Sequence, residues 1–298
     1  MIAGLDELLR LACVAEALCR KPGNVHPGAS FGDLTVGDFL QSAEAASPWL
    51  GMAGKRGIGE AVEQAVAATR AIVGTNTNLG ICLLLAPCAA ADAARPFPEA
   101  IAATLDGLTV ADACGAYRAI RIAAPGGLGQ SAEQDVALEP TVTLLDAMRL
   151  AAGRDAIADQ YAHGFRDVWE LGVPSLASHH GGLEERVIVA HLRLMAALPD
   201  TLIARKCGRE LARDSARRAQ RVLDAGWPGP AAQPELAALD EWLRADGHRR
   251  NPGATADLVC ASLFVAMRWR CLELAEVAAF CEARLADLPV RLRPEFAP

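Results

Sequence analysis

The residues of this chain that could do chemistry lie in five short segments, each at the end of a helical pattern. Because 52% of the 298 residues are hydrophobic, polar clusters of this kind are the informative part of the sequence. The first segment, KPGNVHPGASFGD at 21–33, holds a lysine, an asparagine, a histidine and an aspartate. Such groups bind phosphate or a metal ion, so the segment is predicted to be one wall of an active site rather than a linker.

The second segment, GTNTNLG at 74–80, precedes the most apolar helical pattern. Asn76, Thr77 and Asn78 can cap that helix, and its free N–H groups and positive dipole end favour an anion. Capping explains one of the three residues, so a binding role is predicted for the set.

The third segment, 126–148, carries Glu133, Asp135 and Glu139 ahead of a helix that is predicted to start at Pro140. Clustered carboxylates can hold Mg²⁺, which prefers oxygen ligands. The alternative is an exposed acidic loop.

The fourth segment, PDTLIARKCGRE, opens a predicted helix over about 200–225 that is capped by Asp200 or Thr201. Arginines recur at four-residue steps along it, and these steps drift around a helix, so they cannot all face one ligand. Arg205 and Lys206, nearest the capped start, are therefore the candidates for phosphate.

The fifth segment, NPGATADLVCASLF at 251–264, begins with a Pro-Gly turn. Thr255 is predicted to cap the helix that follows, with Asp257 in its first turn, where a carboxylate is electrostatically favoured. A helix over about 255–284, with a possible break, is expected after this turn. Because its segment is one of the five polar segments, Asp257 is predicted to take part in the site.

Other signals are weak. The adjacent His179 and His180 cannot both reach one ion without distortion, so they are predicted to lie in a loop. The nine cysteines include no CxxC pair and are predicted to be buried thiols. No nucleophile elbow, P-loop or dinucleotide motif occurs in its required context.

Composition restricts the partners. A net charge of −7 disfavours nucleic-acid binding, which needs a basic surface. No apolar run reaches the length of a membrane span, and the start of the chain does not resemble a signal peptide, so a cytoplasmic protein without membrane contact is expected. The surplus of apolar surface favours a homodimer.

The elements that must position these segments are helices. Apolar residues recur at three- and four-residue spacing, and strand-like alternation is almost absent. An all-α fold is therefore predicted, as a single multi-helix domain over 1–298 with the site at converging helix ends. The remaining helices are predicted near 5–20, 35–47, 57–74, 79–94, 98–106, 109–123, 140–152, 154–170, 183–197 and 234–245.

Taken in order, KPGNV, VGTNTNLG, EQDVALEP, DTLIARKCG and NPGATADL resemble segments of the triphosphoribosyl-dephospho-CoA synthase family, over roughly residues 8–267. The first, second and last together are specific, whereas any one alone is weak. The family is all-helical and joins ATP to 3′-dephospho-CoA with release of adenine. The resemblance implies an ATP-dependent, Mg²⁺-assisted transferase that acts on small molecules.

The resemblance also implies roles for individual residues. The set expected to bind ATP comprises Lys21, Asn24, His26, Ser30, Asn76, Thr77, Asn78, Arg205, Lys206 and Asn251. Catalytic roles are expected for Asp33, Asp200 and Asp257. Mg²⁺ ligands are expected among Asp135, Glu139 and Asp200. One carboxylate would activate the acceptor hydroxyl or stabilise the cationic sugar, and which one stays open.

The chain departs from the family pattern at two places. KPGNVHPG and NTNLG stand where KPGLVD and NTHKG are expected, so one acidic residue and one lysine are missing. Asp33 could resupply the acid. These departures leave the acceptor open. The acceptor could be dephospho-CoA or another coenzyme precursor, for example in one-carbon metabolism. A third hypothesis is that the protein binds a nucleotide but is not a catalyst.

Overall fold

A computed structural model describes residues 4–32, 34–126, 131–178 and 181–292. The all-α prediction is confirmed, since these residues form helices and no β-strand. The α-helices are α1 (Leu5–Leu18), α2 (Val36–Leu50), α3 (Ala53–Arg56), α4 (Ile58–Val73), α5 (Leu79–Ala90), α6 (Phe97–Asp106), α7 (Val110–Ala123), α8 (Leu144–Ala151), α9 (Ala156–Ala162), α10 (Val173–Ala177), α11 (Leu183–Ala197), α12 (Thr201–Cys207), α13 (Arg209–Asp224), α14 (Gln233–Arg244), α15 (Gly253–Arg268) and α16 (Leu274–Ala286). A π-helix at Val168–Gly172 and short 3₁₀ turns connect some of them.

Internal contacts divide the chain into two compact units. The first unit comprises residues up to Val14 together with Gly37–Arg166, and the second comprises Ala15–Val36 together with the residues from Asp167 onward. The single domain expected from the sequence therefore stays a prediction, and each unit is described by itself.

Three predicted helices differ in the structure, and the first of them, expected over 154–170, ends at Ala162. The helix expected at Pro140 begins at Leu144, because Thr143 rather than proline provides the cap by accepting a hydrogen bond from the Asp146 amide. The helix expected over about 200–225 is broken at Gly208, whose φ of 94° does not fit a helix. Arg205 and the later arginines therefore lie on separate helices.

The first unit is built around the apolar helix α5. Pro87 lies inside this helix and lacks the N–H that would bond to the carbonyl of Leu83, four residues earlier. The hydroxyl of Tyr161, a fully buried side chain, donates to that carbonyl at 2.6 Å. A tertiary hydrogen bond thus replaces the one that the proline removes.

Helices α4 and α7 cross closely in the same unit. A Cβ on Gly59 would lie 2.3 Å from the carbonyl oxygen of Asp112, and a Cβ on Gly115 would lie 2.4 Å from the backbone of Gly59. Thr109 and Asp112 form a capping box at the start of α7. Asp112 also accepts the Gly59 amide at 2.9 Å, so one carboxylate serves the starts of two helices.

The second unit has its own core. Helices α11, α13 and α14 pack through small and aliphatic residues, among them the fully buried Leu192, Ala219 and Leu243. Helix α15 is buried along most of its length, so its amino-terminal turn is held in a fixed position.

No single helix in the part of the chain that the structure describes is long and apolar enough to cross a membrane. The bent pair α11 and α12, with 56° between them, meets the length and composition of a broken span, as core helices also can. The cytoplasmic location and the homodimer stay predictions.

Candidate functional site in the second unit

The KPGN loop, which we define as residues 21–24, follows α1 and packs against α14. Gly23 adopts a φ of 77°, and a Cβ at this position would lie 2.8 Å from Leu243 and 2.9 Å from Pro252. Glycine is therefore required twice, by the left-handed backbone and by the close approach. The contact with Pro252 brings the KPGN loop against the Asn-Pro-Gly turn that opens α15.

Two charged residues on α14 hold the backbone of this loop. Asp240 accepts the Gly23 amide at 2.7 Å, and Arg244 donates from Nη2 to the Asn24 carbonyl at 2.7 Å. Arg244 Nε also donates to both Asp240 oxygens, at 2.8 and 2.9 Å. A buried donor, Arg244 Nη1, has no hydrogen-bond partner among the described residues.

Asn24 and Asn251 join the first and last of the predicted segments. Asn24 Nδ2 donates to Asn251 Oδ1 at 2.8 Å. The Asn24 side chain is 6% exposed, and its Oδ1 has no partner in the described parts of the chain. An acceptor left open in a buried position is costly unless a ligand donor completes it.

His26 lies in a field of positive charge. Burial and the charges of Arg244 and Lys21 lower the pKa of His26 to about 4, so the ring is neutral near pH 7. The Gly28 amide donates to its Nδ1 at 3.1 Å. The ring proton therefore sits on Nε2, which makes His26 a neutral hydrogen-bond donor.

Lys21 is placed differently from the other members of the set. Its side chain is 0% exposed, and its Nζ lies 2.9 Å from Glu16 Oε1. The residue stays a predicted ATP ligand, but its ammonium is engaged inside the protein.

Asp200 also has a full set of protein partners. As predicted, it caps α12, and its Oδ1 accepts the amides of Leu202 and Ile203 at 2.9 and 3.0 Å. Its Oδ2 accepts the amide and the hydroxyl of Thr255, both at 2.8 Å. Burial raises the pKa of Asp200, against these hydrogen bonds, which lower it.

This arrangement corrects the capping role predicted for Thr255. Helix α15 begins at Gly253, two residues earlier than expected, so Thr255 lies within its first turn. The acceptor for the free donors of that turn is Asp200. One buried carboxylate thus fixes two helix starts, as Asp112 does in the first unit.

The other predicted site residues of this unit differ in exposure. Arg205 and Asp257 are half-buried, and Lys206 and Ser30 are exposed. The Lys206 carbonyl accepts from Arg249 at 2.9 Å. Asp33 and the pair His179 and His180 lie outside the described residues.

In the first unit, the predicted anion-binding triplet has partners of its own. The Asn76 side chain accepts the Leu79 amide at 3.1 Å, as the capping hypothesis predicted. The Thr77 hydroxyl lies 2.6 Å from Ser42 Oγ, and Asn78 donates to Thr69 at 3.0 Å. The contacts of Thr77 and Asn78 tie the loop to α2 and α4, so each of the three side chains has a partner within the protein.

The carboxylates predicted to bind Mg²⁺ are likewise engaged. Asp135 accepts the amides of Ser131 and Ala137, and Glu139 pairs with Arg121 at 3.2 Å. The hydrogen bonds from Ser131 and Ala137 lower the pKa of Asp135. Among the residues that the structure describes, no group of three or more His, Cys, Asp or Glu side chains could hold a metal ion. These donors therefore do not fit a resident Mg²⁺.

Sequence reasoning missed Asp240, Arg244 and Glu16. The first two form an ordinary i,i+4 charge pair on a helix, and Glu16 lies in a regular amphipathic pattern. Their importance comes from contacts with the KPGN loop, which is more than 200 residues away from α14 in sequence. No signal in the sequence alone indicates those contacts.

Comparison with known proteins supplies the family. The model of the family described as ATP:dephospho-CoA triphosphoribosyl transferase matches residues 2–273. Two curated relatives are named as 2-(5″-triphosphoribosyl)-3′-dephosphocoenzyme-A synthases. The protein from Pseudomonas syringae pv. tomato is 34% identical over 111 residues, and that from Stutzerimonas stutzeri is 37% identical over 112. Each match spans 36% of this chain and 38% of the relative.

A solved structure extends the likeness to the fold. The crystal structure of a protein from Archaeoglobus fulgidus, described as a triphosphoribosyl-dephospho-CoA synthase, matches with a TM-score of 0.63 at 27% identity. The match covers 77% of this chain and 98% of that one.

Proposed function

The chain belongs to the ATP:dephospho-CoA triphosphoribosyl transferase family, and on this premise we propose that it transfers the triphosphoribosyl part of ATP to 3′-dephospho-CoA or a related acceptor, with release of adenine. The observation that carries the proposal is the hydrogen bond between Asn24 and Asn251, which joins two motif segments far apart in sequence. Around it lie unused polar atoms of the kinds that a nucleotide needs.

In the proposed reaction, the bond between C1′ of the ATP ribose and adenine breaks. A bond forms from the same carbon to a hydroxyl oxygen of the acceptor. The acceptor hydroxyl loses one proton and adenine takes up one, so the step needs no oxidant or reductant. The protein must therefore orient two substrates, neutralise a triphosphate and move a proton.

The triphosphate is assigned to the positive side of the KPGN loop. Arg244 Nη1 is a buried cationic donor that no described residue accepts from, and His26 presents a neutral donor at Nε2. Arg205 and Lys206 complete the proposed set from α12. A guanidinium suits this role because it keeps its charge and binds phosphate oxygens in a fixed geometry.

Sugar hydroxyls are assigned to the asparagine pair. Asn24 Oδ1 is a buried acceptor without a partner among the described residues, and a ribose hydroxyl is a donor of the right kind. The bond to Asn251 fixes the orientation of the Asn24 amide. Asp257, half-buried in the first turn of α15, is the proposed base for the acceptor hydroxyl.

Mg²⁺ is proposed to enter as part of the ATP substrate. The described residues include no group of three or more side chains that could bind a metal ion, and both oxygens of Asp200 accept hydrogen bonds at helix starts. Mg²⁺ commonly keeps most of its waters and is carried by substrate phosphates. We therefore propose a structural role for Asp200, in place of the catalytic and metal-binding roles that the family resemblance implied.

The reaction itself is the test. The purified chain is incubated with ATP and Mg²⁺, with and without dephospho-CoA, and free adenine is measured by chromatography. Adenine release that requires dephospho-CoA supports the proposal. Adenine release only with a different coenzyme precursor would show that this precursor, and not dephospho-CoA, is the acceptor. The two departures from the family pattern are the reason to test other precursors. ATP binding without adenine release with any acceptor would contradict catalysis.

A matched pair of variants tests the carboxylate assignment. Asp257→Asn should abolish turnover and leave the fold intact, whereas Asp214→Asn, which changes a half-buried carboxylate of α13 that pairs with Arg217 and Arg218, should keep wild-type activity. Unchanged turnover in Asp257→Asn would remove this residue from the site.

A further inference from the structure

The ammonium of Lys21 makes three contacts that the proposed function does not use. It lies 2.9 Å from Glu16 Oε1, and it donates to the main-chain carbonyls of Glu16 and, at 3.3 Å, Cys19. An ammonium has three N–H donors. These acceptors use all of them, and the side chain is 0% exposed.

The nature of the acceptors indicates what the cation does. Helix α1 ends at Leu18, so the carbonyls of Glu16 and Cys19 belong to a carboxyl-terminal end, where carbonyls lack main-chain donors and the dipole is negative. Lys21 stabilises that end from within the loop that follows it. Its placement therefore fixes the start of the segment that carries Asn24.

A neutral histidine lies beside the buried ion pair. His191 is 0% exposed, and its ring lies close to Lys21 and to the carbonyl of Pro22. Burial and the charge of Lys21 lower the pKa of His191 to about 3, against the carbonyl of Pro22, which raises it. A neutral imidazole does not compete with Lys21 for Glu16.

We propose that Glu16 and Lys21 are positioning residues, whose buried ion pair holds Asn24 within reach of Asn251, and that Lys21 does not contact the phosphates of ATP. The positioning role rests on the proposed function. It replaces the phosphate role that the family resemblance implied for Lys21, and it gives Glu16 a role that no motif indicated.

Lysine labelling of the wild-type chain tests the second half of the proposal. The sequence contains only three lysines, Lys21, Lys55 and Lys206, so an amine-reactive reagent followed by mass spectrometry gives one rate for each. Lys55 and Lys206 are exposed. We expect Lys21 to react at least about tenfold more slowly than Lys55, because reaction requires local opening, and ATP should not change its rate.

The three rates separate the outcomes. Reaction of Lys21 as fast as Lys55, with protection by ATP, would overturn the proposal and restore the phosphate role. Protection of Lys206 by ATP would support its assignment to the triphosphate. If ATP protects neither Lys21 nor Lys206, the proposed phosphate site is wrong. The labelling rate of Lys21 relative to Lys55 then still tests whether Lys21 is buried and held away from the substrate.

Variants test the positioning half. Lys21→Met leaves Glu16 as a buried unpaired charge, whereas Glu16→Gln combined with Lys21→Met removes both charges. At a temperature where the variants are folded, we expect the single change to lower kcat at least about tenfold with KM for ATP within about threefold of wild type. The double variant should regain the stability that an unpaired Glu16 costs but not the lost kcat, because it restores neither the ion pair nor the contacts of the ammonium with the end of α1.

Two results would contradict this expectation. A rise of about tenfold in KM for ATP in both variants would make Lys21 a phosphate ligand. An unchanged kcat in folded Lys21→Met would mean that the ion pair supports folding only and positions nothing.

Discussion

Replacing Asp200 with alanine should destabilise the second unit strongly, because this carboxylate fixes the starts of α12 and α15 at once. Loss of an N-cap costs about 1 kcal/mol. The Thr255 amide, buried and bonded at 2.8 Å, would lose its acceptor, at a cost of about 2 kcal/mol. The Thr255 hydroxyl can turn to another acceptor, so we add nothing for it, and the sum is about 3 kcal/mol.

For a unit of roughly 150 residues, a loss of this size lowers Tm by about 6 to 12 °C. Thermal unfolding followed by circular dichroism measures it. Thr143→Ala is the matched control, since Thr143 caps α8 alone and should cost about 1 kcal/mol. A Tm loss for Asp200→Ala no greater than that of the control would refute the double-capping account.

Asp200→Asn separates structure from chemistry. An asparagine can still cap one helix start but cannot accept at both, so about 1 to 2 kcal/mol should be lost. Activity of the folded variant should stay within about threefold of wild type. A well-folded variant whose activity falls by about a hundredfold or more would instead make Asp200 catalytic, as the family resemblance implied.

Three further predictions concern other contacts. Tyr161→Phe should destabilise the first unit by about 1 to 3 kcal/mol, because it orphans the Leu83 carbonyl, and a urea midpoint unchanged from wild type would contradict this. The second unit should lose stability as the pH falls from 6.5 towards 4, because His26 takes up a proton in this range when unfolded but not when folded. In urea titrations, His26→Asn should reduce the dependence of the free energy of unfolding on pH, and a dependence equal to that of the wild type would refute this explanation. Gly23→Ala should lower the free energy of unfolding by about 2 to 4 kcal/mol, because the positive φ disfavours a side chain and Leu243 leaves no space for a methyl group. A Tm within about 2 °C of wild type would contradict the close packing.

Much of the fold could be predicted from the sequence, because apolar spacing and caps are local signals. The role of Asp200 as the cap of α12 is confirmed. The start at Pro140 was wrong, since Thr143 offers a side-chain acceptor that proline cannot. The uninterrupted helix over 200–225 was wrong because the conformation of Gly208 could not be seen from arginine spacing.

The candidate site was predictable only in part. The polar segments were visible as motifs, and the meeting of Asn24 with Asn251 agrees with the expectation that the first and last of them share a site. What a motif cannot indicate is whether a polar side chain already has protein partners. Asp200 and Lys21 read as ligands in the sequence, yet helix ends occupy them in the structure.

Arg244 shows the opposite case, a residue that looks unimportant in the sequence but lies at the candidate site in the structure. Its charge pair with Asp240 looks like ordinary surface in the sequence, and only the tertiary contact with the KPGN loop reveals its place. Long-range contacts of this kind have no local pattern, so they become visible only once α14 is placed against the loop.

The most direct test of the account is the rate of adenine release by Asn24→Ala at saturating ATP and dephospho-CoA. The change removes one internal hydrogen bond and the open acceptor, so the fold should lose only about 1 kcal/mol. The account predicts at least about a hundredfold lower rate than wild type with Tm nearly unchanged. Release within about twofold of wild type by a folded variant would contradict a catalytic site at the KPGN loop.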